Sequence, residues 1–197
     1  MPAIAPGRIV FLNGTSSSGK SSIATELLTM LDPPHFHLSA DAFNAMRSRE
    51  KSLRLAPAEL EVVLRRTRAG FHRAVAAMAA AGNNVVADYV LSEEWRLVDC
   101  LRVLAGYQVV FVGVRCADAE LARRELARGD REAGQGAAQQ RRVHAHGRYD
   151  VECDTTAASP RQCAELIAGY LASGAVPVAF EQLRSLLQAP DHSQGGC

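Results

Sequence analysis

Apolar positions along this chain fall into two rhythms. Short, nearly unbroken apolar runs at residues 8–12, 36–39, 84–88 and 108–114, with a weaker one at 149–155, read as strands. Stretches with apolar residues three and four apart read as helices, at 20–31, 57–81, 93–104, 117–127 and 160–172. Val85-Val86-Ala87 and Val109-Val110-Phe111-Val112 are apolar at consecutive positions, as expected of strands covered on both faces. Strands alternating with helices predict an α/β fold of three layers, α/β/α, around a central, mostly parallel, five-stranded sheet. The stripe Val62, Val63, Phe71, Val75 and Met78 on the long helix is read as packing. After residue 172 the chain turns through Ser173-Gly174-Ala175-Val176-Pro177 into a short amphipathic piece carrying Phe180, Leu183, Leu186 and Leu187. The polar, Gly-rich end at 189–197 is expected to be disordered. The predicted organisation is one domain over 1–175, with the amphipathic piece and tail over 176–197.

Between the first strand and the first helix stands Gly14-Thr15-Ser16-Ser17-Ser18-Gly19-Lys20-Ser21, followed by Ser22. The spacing G-x-x-x-x-G-K-S is that of a phosphate-binding loop, and strand-loop-helix is the context such a loop requires. Gly14 and Gly19 can adopt positive φ and bring backbone N–H groups close to a polyphosphate. The helix opening at Gly19 and Lys20 directs its positive end at the same anion. Lys20 would reach the β- and γ-phosphates as a point charge, and the Ser21 hydroxyl is a candidate ligand for Mg²⁺. Nucleoside triphosphate, ATP with Mg²⁺, is therefore the expected ligand. The alternative is a chance Gly/Ser turn.

Composition narrows the setting. With 197 residues, 48% hydrophobic and 22% charged, the chain is of ordinary globular make-up. Lys+Arg 22 against Asp+Glu 21 leaves no basic excess of the kind expected of a nucleic-acid binder. No apolar run is long enough to cross a membrane, and the N-terminus does not read as a secretion signal. The five cysteines are scattered without a C-x-x-C pair, which suggests reduced thiols in a cytoplasmic protein. The oligomeric state stays open, a homodimer among the options.

Three further constellations bear on chemistry. Asp41 follows the second strand, at the sheet edge where ligands of open α/β folds gather, and could accept the proton of an attacking hydroxyl. Ser39 or Asp41 equally fits as the N-cap of a helix through Phe43 and Met46, and the two roles are compatible. Asp88 ends its strand where an acidic group near Mg²⁺ is expected, a helix cap being the alternative. The segment from Arg123 through Arg128 and Arg131 to Arg142 suggests a lid over about 117–147, its arginines stabilising a transferred phosphoryl group. Arg128 and Arg131 are the members expected to act, with the others pairing Glu120, Glu125 and Glu132 on a solvated helix. His144 and His146 have strand spacing but lack a metal-ligand partner in sequence, while His35, His37, His72 and His192 read as edge or surface residues.

These pieces resemble the chloramphenicol phosphotransferases, small kinases built on the phosphate-loop fold. The matching strings are Leu12-Asn13-Gly14 with Ser16-Ser17 and Gly19-Lys20-Ser21, Asp41, and Val112-Gly113-Val114-Arg115-Cys116. The more specific ones are Ala127-Arg128-Gly129-Asp130-Arg131 with Ala133-Gly134, and Tyr149-Asp150-Val151-Glu152 before Asp154-Thr155-Thr156. The resemblance implies a P-loop kinase fold, Asp41 as catalytic base, and Arg128 and Arg131 as lid arginines. By the same comparison the stretch from Asp41 to Asp88 is short and basic, with Arg47, Arg49, Lys51, Arg65 and Arg66, and Tyr89 stands where a second acid is found. Phe43, Met46, Val90, Leu91 and Trp95 could line the acceptor pocket, with the arginines of 46–68 facing solvent. The leading expectation is an ATP-dependent O-phosphotransferase acting on a small hydroxylated molecule, chloramphenicol or a related antibiotic. A kinase for another metabolite and a nucleotide-dependent binding module are the alternatives.

Overall fold

The computed structural model describes residues 4–128 and 135–188. Its five strands are β1 (Ile9–Gly14), β2 (His35–Ser39), β3 (Asn84–Tyr89), β4 (Val109–Arg115) and β5 (Val151–Asp154). They form one sheet in the order β2-β3-β1-β4-β5, and every pairing is parallel. Helices cover both faces, so the three-layer α/β/α architecture expected from the alternating pattern is the one observed. The weak fifth run is an edge strand, alternately buried and exposed, which explains its faint apolar signal.

Side-chain alternation along β1 assigns the two layers. Ile9 and Phe11 face α4 (Pro57–Ala80), α5 (Glu94–Val103) and α9 (Ala179–Gln188), where Phe71, Val75, Leu101 and Phe180 complete one core. Val10 and Leu12 face α1 (Lys20–Met30) and α8 (Pro160–Ala172), packing on Ile23, Leu27 and Ile167. The amphipathic piece after residue 176 is thus α9, and Phe180 sits 5.9 Å from Phe11 and 4.8 Å from Phe111, ring centre to ring centre. Asp150 ties this helix down: one carboxylate oxygen accepts from the Phe111 amide at 2.8 Å, the other from Val178 and Ala179 at 2.7 and 3.0 Å.

The long α4 starts where the sequence predicts, with Pro57 at its first turn and the Glu59 carboxylate accepting from the Ala56 amide at 2.9 Å. Only its second half packs on the sheet. Phe71, Val75 and Ala79 are buried, whereas Val62 of the expected stripe is 49% exposed. Thr67, Arg68 and Phe71, near the middle of α4, line the cleft that also holds Asp88 and Tyr89. Two short helices, α2 (Ala40–Ala45) and α3 (Arg49–Ser52), bridge β2 to α4. Neither α2 nor α3 has a buried apolar stripe, so periodicity alone could not find them. On the other flank, α6 (Asp118–Arg128) and α7 (Gln135–Val143) border residues 129–134, which lie outside the description. The tail at 189–197 lies outside it as well.

Candidate active site

The β1–α1–β2 connection runs to one side of β1, and the β3–α5–β4 connection runs to the other. A crevice therefore opens at the end of β1. Gly14 closes β1 at this point because a side chain would strike the Val114 carbonyl oxygen at 2.5 Å. Thr15, Ser16, Ser17 and Ser18 form the loop, with Ser17 at φ 60° and Gly19 at φ 92°. Positive φ suits Gly19 and marks Ser17 as a constrained position. Lys20, Ser21 and Ser22 begin α1, whose N-terminus carries no side-chain cap. The start of such a helix suits a ligand anion. Lys20 is buried and its Nζ donates to the Thr15 carbonyl at 2.6 Å, which folds the ammonium over the loop. The hydroxyl oxygen of Thr15 is buried without a partner among the described residues.

Asp88 forms the floor. It pairs with Leu12 of β1 and Ser39 of β2 in register, so the sheet itself brings it beside the loop. Ser21 Oγ donates to its Oδ2 at 3.0 Å, His37 Nε2 bonds the same oxygen at 2.7 Å, and Ser39 Oγ donates to Oδ1 at 3.3 Å. Burial works to raise the Asp88 carboxyl, but the His37 bond, the Lys20 charge and the Ser21 hydroxyl outweigh it and hold the group below its ordinary value. An ionised carboxylate beside a serine hydroxyl is the oxygen-rich donor set that suits Mg²⁺ shared with phosphate oxygens. Among the described residues no cluster of three or more His, Cys, Asp or Glu forms a separate metal cage.

Asp41 lies in the first turn of α2, where Ser39 is the N-cap and accepts weakly from the Ala42 amide at 3.5 Å. It faces a cleft of about 620 Å³ that also receives Ser16, Ser17, Lys20 and Ser21. One continuous space therefore holds the loop, Asp41 and Asp88. Phe43 and Val90 line it as expected. Met46 does not, being 79% exposed; Leu91 is core; and Trp95 lies under Arg65, whose guanidinium sits 4.3 Å from its ring centre. The cleft instead takes Phe71 and Tyr89, and Arg68 turns into it rather than to solvent. Arg128 is the last residue of α6, with its side chain outside the described set, and Arg131 falls outside it altogether.

Several residues of the site escape the sequence reading. Arg124, taken for a surface partner of Glu120, does pair with it at 2.7 Å. It also donates to the carbonyls of Ser17 at 3.3 Å and Thr155 at 2.8 Å, clamping α6 to the loop. Thr155 in turn donates to the Ser18 carbonyl at 2.8 Å. His37, read as an edge or surface residue, lies on the edge strand β2 and is also a partner of Asp88. The signal was its two-residue spacing from Ser39, which puts both on one face of β2. His72 is fully buried, its Nδ1 bonded to Asp99 at 2.7 Å. His144 and His146 are not on a strand. They follow α7 and surround Tyr149, whose hydroxyl receives Asn13 Nδ2 at 2.8 Å and meets His144 Nδ1 at 2.6 Å. Asn13 Nδ2 also reaches the Val143 carbonyl at 2.9 Å, and its Oδ1 accepts from the Leu91 amide at 3.0 Å, so it joins the loop strand to both flanks of the cleft. Gly113 leaves room for Tyr149, whose ring would lie 2.7 Å from an added Cβ.

Comparison with known proteins agrees with this geometry. The family model described as "Chloramphenicol phosphotransferase-like protein" matches residues 7–172. A protein of Mycobacterium tuberculosis (strain H37Rv), provisionally named an O-phosphotransferase, is 36% identical over 207 residues, covering 93% of this chain and 91% of the relative. Among solved structures, the M. tuberculosis APS kinase bound to AMPPNP and APS superposes with a TM-score of 0.62 at 18% identity, covering 85% of this chain and 98% of that one. A gluconokinase from Sinorhizobium meliloti gives 0.54 at 19%, covering 95% and 99%. These two share the fold. From the family match and the close relative, this chain is a phosphotransferase of the small-molecule kinase type and belongs to the chloramphenicol phosphotransferase-like family.

Proposed function

We propose that this enzyme transfers the γ-phosphate of ATP to a hydroxyl of a small molecule. The observation that carries the reading is the single cleft in which Asp41 faces the phosphate-binding loop, with Lys20, Ser21 and Asp88 around it. The loop amides and Lys20 would hold the polyphosphate, and Ser21 with Asp88 would hold Mg²⁺. Mg²⁺ when bound would neutralise charge on the β- and γ-oxygens. The acceptor oxygen attacks the γ-phosphorus, the bond to the bridging β–γ oxygen breaks, ADP leaves, and the hydroxyl proton passes to the Asp41 carboxylate. Residues 117–147 would act as the lid, α6 being joined to the loop by Arg124, and Arg128 and Arg131 would supply the charge that stabilises the equatorial oxygens. Buried, unpaired Cys100, Cys116, Cys153 and Cys163 suit a reducing cytoplasm.

Two acceptor classes fit. The family name and the apolar wall of Phe43, Phe71 and Val90 support chloramphenicol or a related antibiotic, a neutral alcohol needing few polar anchors. A different small metabolite is favoured by Arg68 and Arg96, which bring positive charge to the same wall. Incubation with ATP and either chloramphenicol or a panel of hydroxylated metabolites, read by mass spectrometry of phosphorylated product, separates them. Expression in a drug-sensitive bacterium gives an independent reading of the first. Nucleotide binding without transfer to any acceptor would leave a binding module in place of a kinase.

A further inference from the structure

Tyr89 and Arg96 line the acceptor half, and each carries a polar atom, the hydroxyl and Nε, buried without a partner among the described residues. Both side chains are rigidly placed. Tyr89 ends β3 and is wedged between Phe11 and Phe71, at ring separations of 6.5 and 5.4 Å. Arg96 Nη1 donates to the Val90 carbonyl and to Ser92 Oγ, each at 3.1 Å, while Nη2 pairs with Glu93, so those bonds leave over the Nε–H and one N–H of Nη2. Its guanidinium carbon lies 5.9 Å from the Tyr89 ring centre. Arg68 joins them from α4, one turn before Phe71. Its one described polar contact is an exposed 3.4 Å bond to Glu61, which leaves most of its fork unspent. Arg68 and Arg96 both act electrostatically on the Tyr89 hydroxyl, so the three side chains share one neighbourhood.

Leaving a buried donor unmade costs about 1–3 kcal/mol, so two on residues of one wall call for a ligand that accepts hydrogen bonds there. The charge narrows the choice. Glu93 offsets Arg96, but Arg68 adds a second guanidinium, and a planar fork beside a phenol matches an oxyanion better than a neutral carbonyl. Asp41 and Asn44 stand on α2, and the cleft joins them to this donor wall. We propose that the acceptor carries an acidic group (carboxylate, phosphate or sulfate) besides its hydroxyl, received by Arg68, Arg96 and Tyr89 while the hydroxyl meets Asp41. The proposal deepens the kinase reading and rests on it for the hydroxyl end alone.

The test uses the full chain. With AMPPNP occupying the loop, inorganic sulfate titrated by calorimetry should bind saturably, and Arg68→Gln should weaken it by tenfold or more, with Arg68→Lys recovering part of the loss. Unchanged melting temperature certifies each variant's fold. In a second arm, 4-(hydroxymethyl)benzoate, its methyl ester and its phosphonate analogue are offered with ATP. The acids should be turned over at a KM at least tenfold below that of the ester, and Arg68→Gln should erase the preference through KM rather than kcat. The arm also separates carboxylate from phosphonate recognition. Absence of saturable sulfate binding, binding unaffected by Arg68→Gln, or equal use of acid and ester would each overturn the proposal. Arg68-dependent sulfate binding in a protein that turns over no ATP would instead remove the kinase reading and leave the anion site standing.

Discussion

Asp41, Asp88 and Lys20 meet the same cleft from different elements, and their environments suit different tasks. Asp88 is buried, bonded by His37, Ser21 and Ser39, and held below its ordinary pKa, a carboxylate fixed in place rather than a proton carrier. Asp41 stands at the start of a short helix on the open side, as a base meeting an incoming hydroxyl should. Asp41→Asn is expected to lower turnover by ~10²–10⁴, the usual range for a lost general base, with little change in the ATP dissociation constant. Steady-state kinetics beside nucleotide titration checks this, and a large rise in that constant with turnover kept would assign Asp41 to the nucleotide. A second residue-scale effect concerns pH. Burial pushes the imidazoles of His144 and His146 down to about 4. The unfolded chain takes up those protons first, near an ordinary value of about 6.5, so the associated stability is present above that pH and is lost as pH falls towards about 4. The urea midpoint should therefore decline across this window, and less steeply in His144→Gln and His146→Gln. Equal slopes in all three proteins would contradict the assignment.

At the scale of elements, Arg124 and Thr155 fasten α6 and the end of β5 to the phosphate loop, while Asn13 and Tyr149 fasten the end of α7 to the strand beneath it. A ligand gathered by the loop thus bears on both helices that border 129–134. Hydrogen exchange over 127–142 should slow when AMPPNP is added, and equal protection with and without it would make these helices a static surface. On the face of the sheet that Phe111 and Tyr149 share, α9 belongs to the core through Phe180. Phe180→Ala should cost about 3–5 kcal/mol in urea unfolding, the usual range for a buried aromatic, whereas a loss under about 1 kcal/mol would mark α9 as an appendage. Much of this level was legible in sequence. Five apolar runs gave the five strands, and the interval between Gly14 and Lys20 located the loop, because period and spacing are local properties. What escaped was set by contacts distant in sequence. His37 meets Asp88 only after β2 and β3 pair, Arg124 meets Ser17 across 107 positions, and α3 lacks an apolar stripe to announce it, whereas capping by Ser39 did announce α2.

For the molecule as a whole, the sheet order places one end of β1 between two layers of helices, and the loop, Asp41 and Asp88 gather there. The loop end of the cleft is built from backbone and a few fixed side chains, so the motif alone located the loop between β1 and α1. Its acceptor end depends on which α4 and β3 side chains meet in the cleft, which no motif encodes. Arg68 and Tyr89 therefore entered as departures from a family pattern before their place in the cleft gave them a chemical meaning. The same arrangement makes the central claim testable in one experiment. The full chain is incubated with ATP labelled at the γ-phosphate and an acceptor panel spanning chloramphenicol and hydroxy acids, and the label is followed into product for the wild type and for Lys20→Ala. Lys20 contributes a charge at the loop rather than apolar packing, so its variant should keep the fold and the wild-type melting behaviour. Label should appear on an acceptor hydroxyl with the wild type and fall to background with Lys20→Ala. A folded Lys20→Ala protein that transfers label at near the wild-type rate would contradict the account.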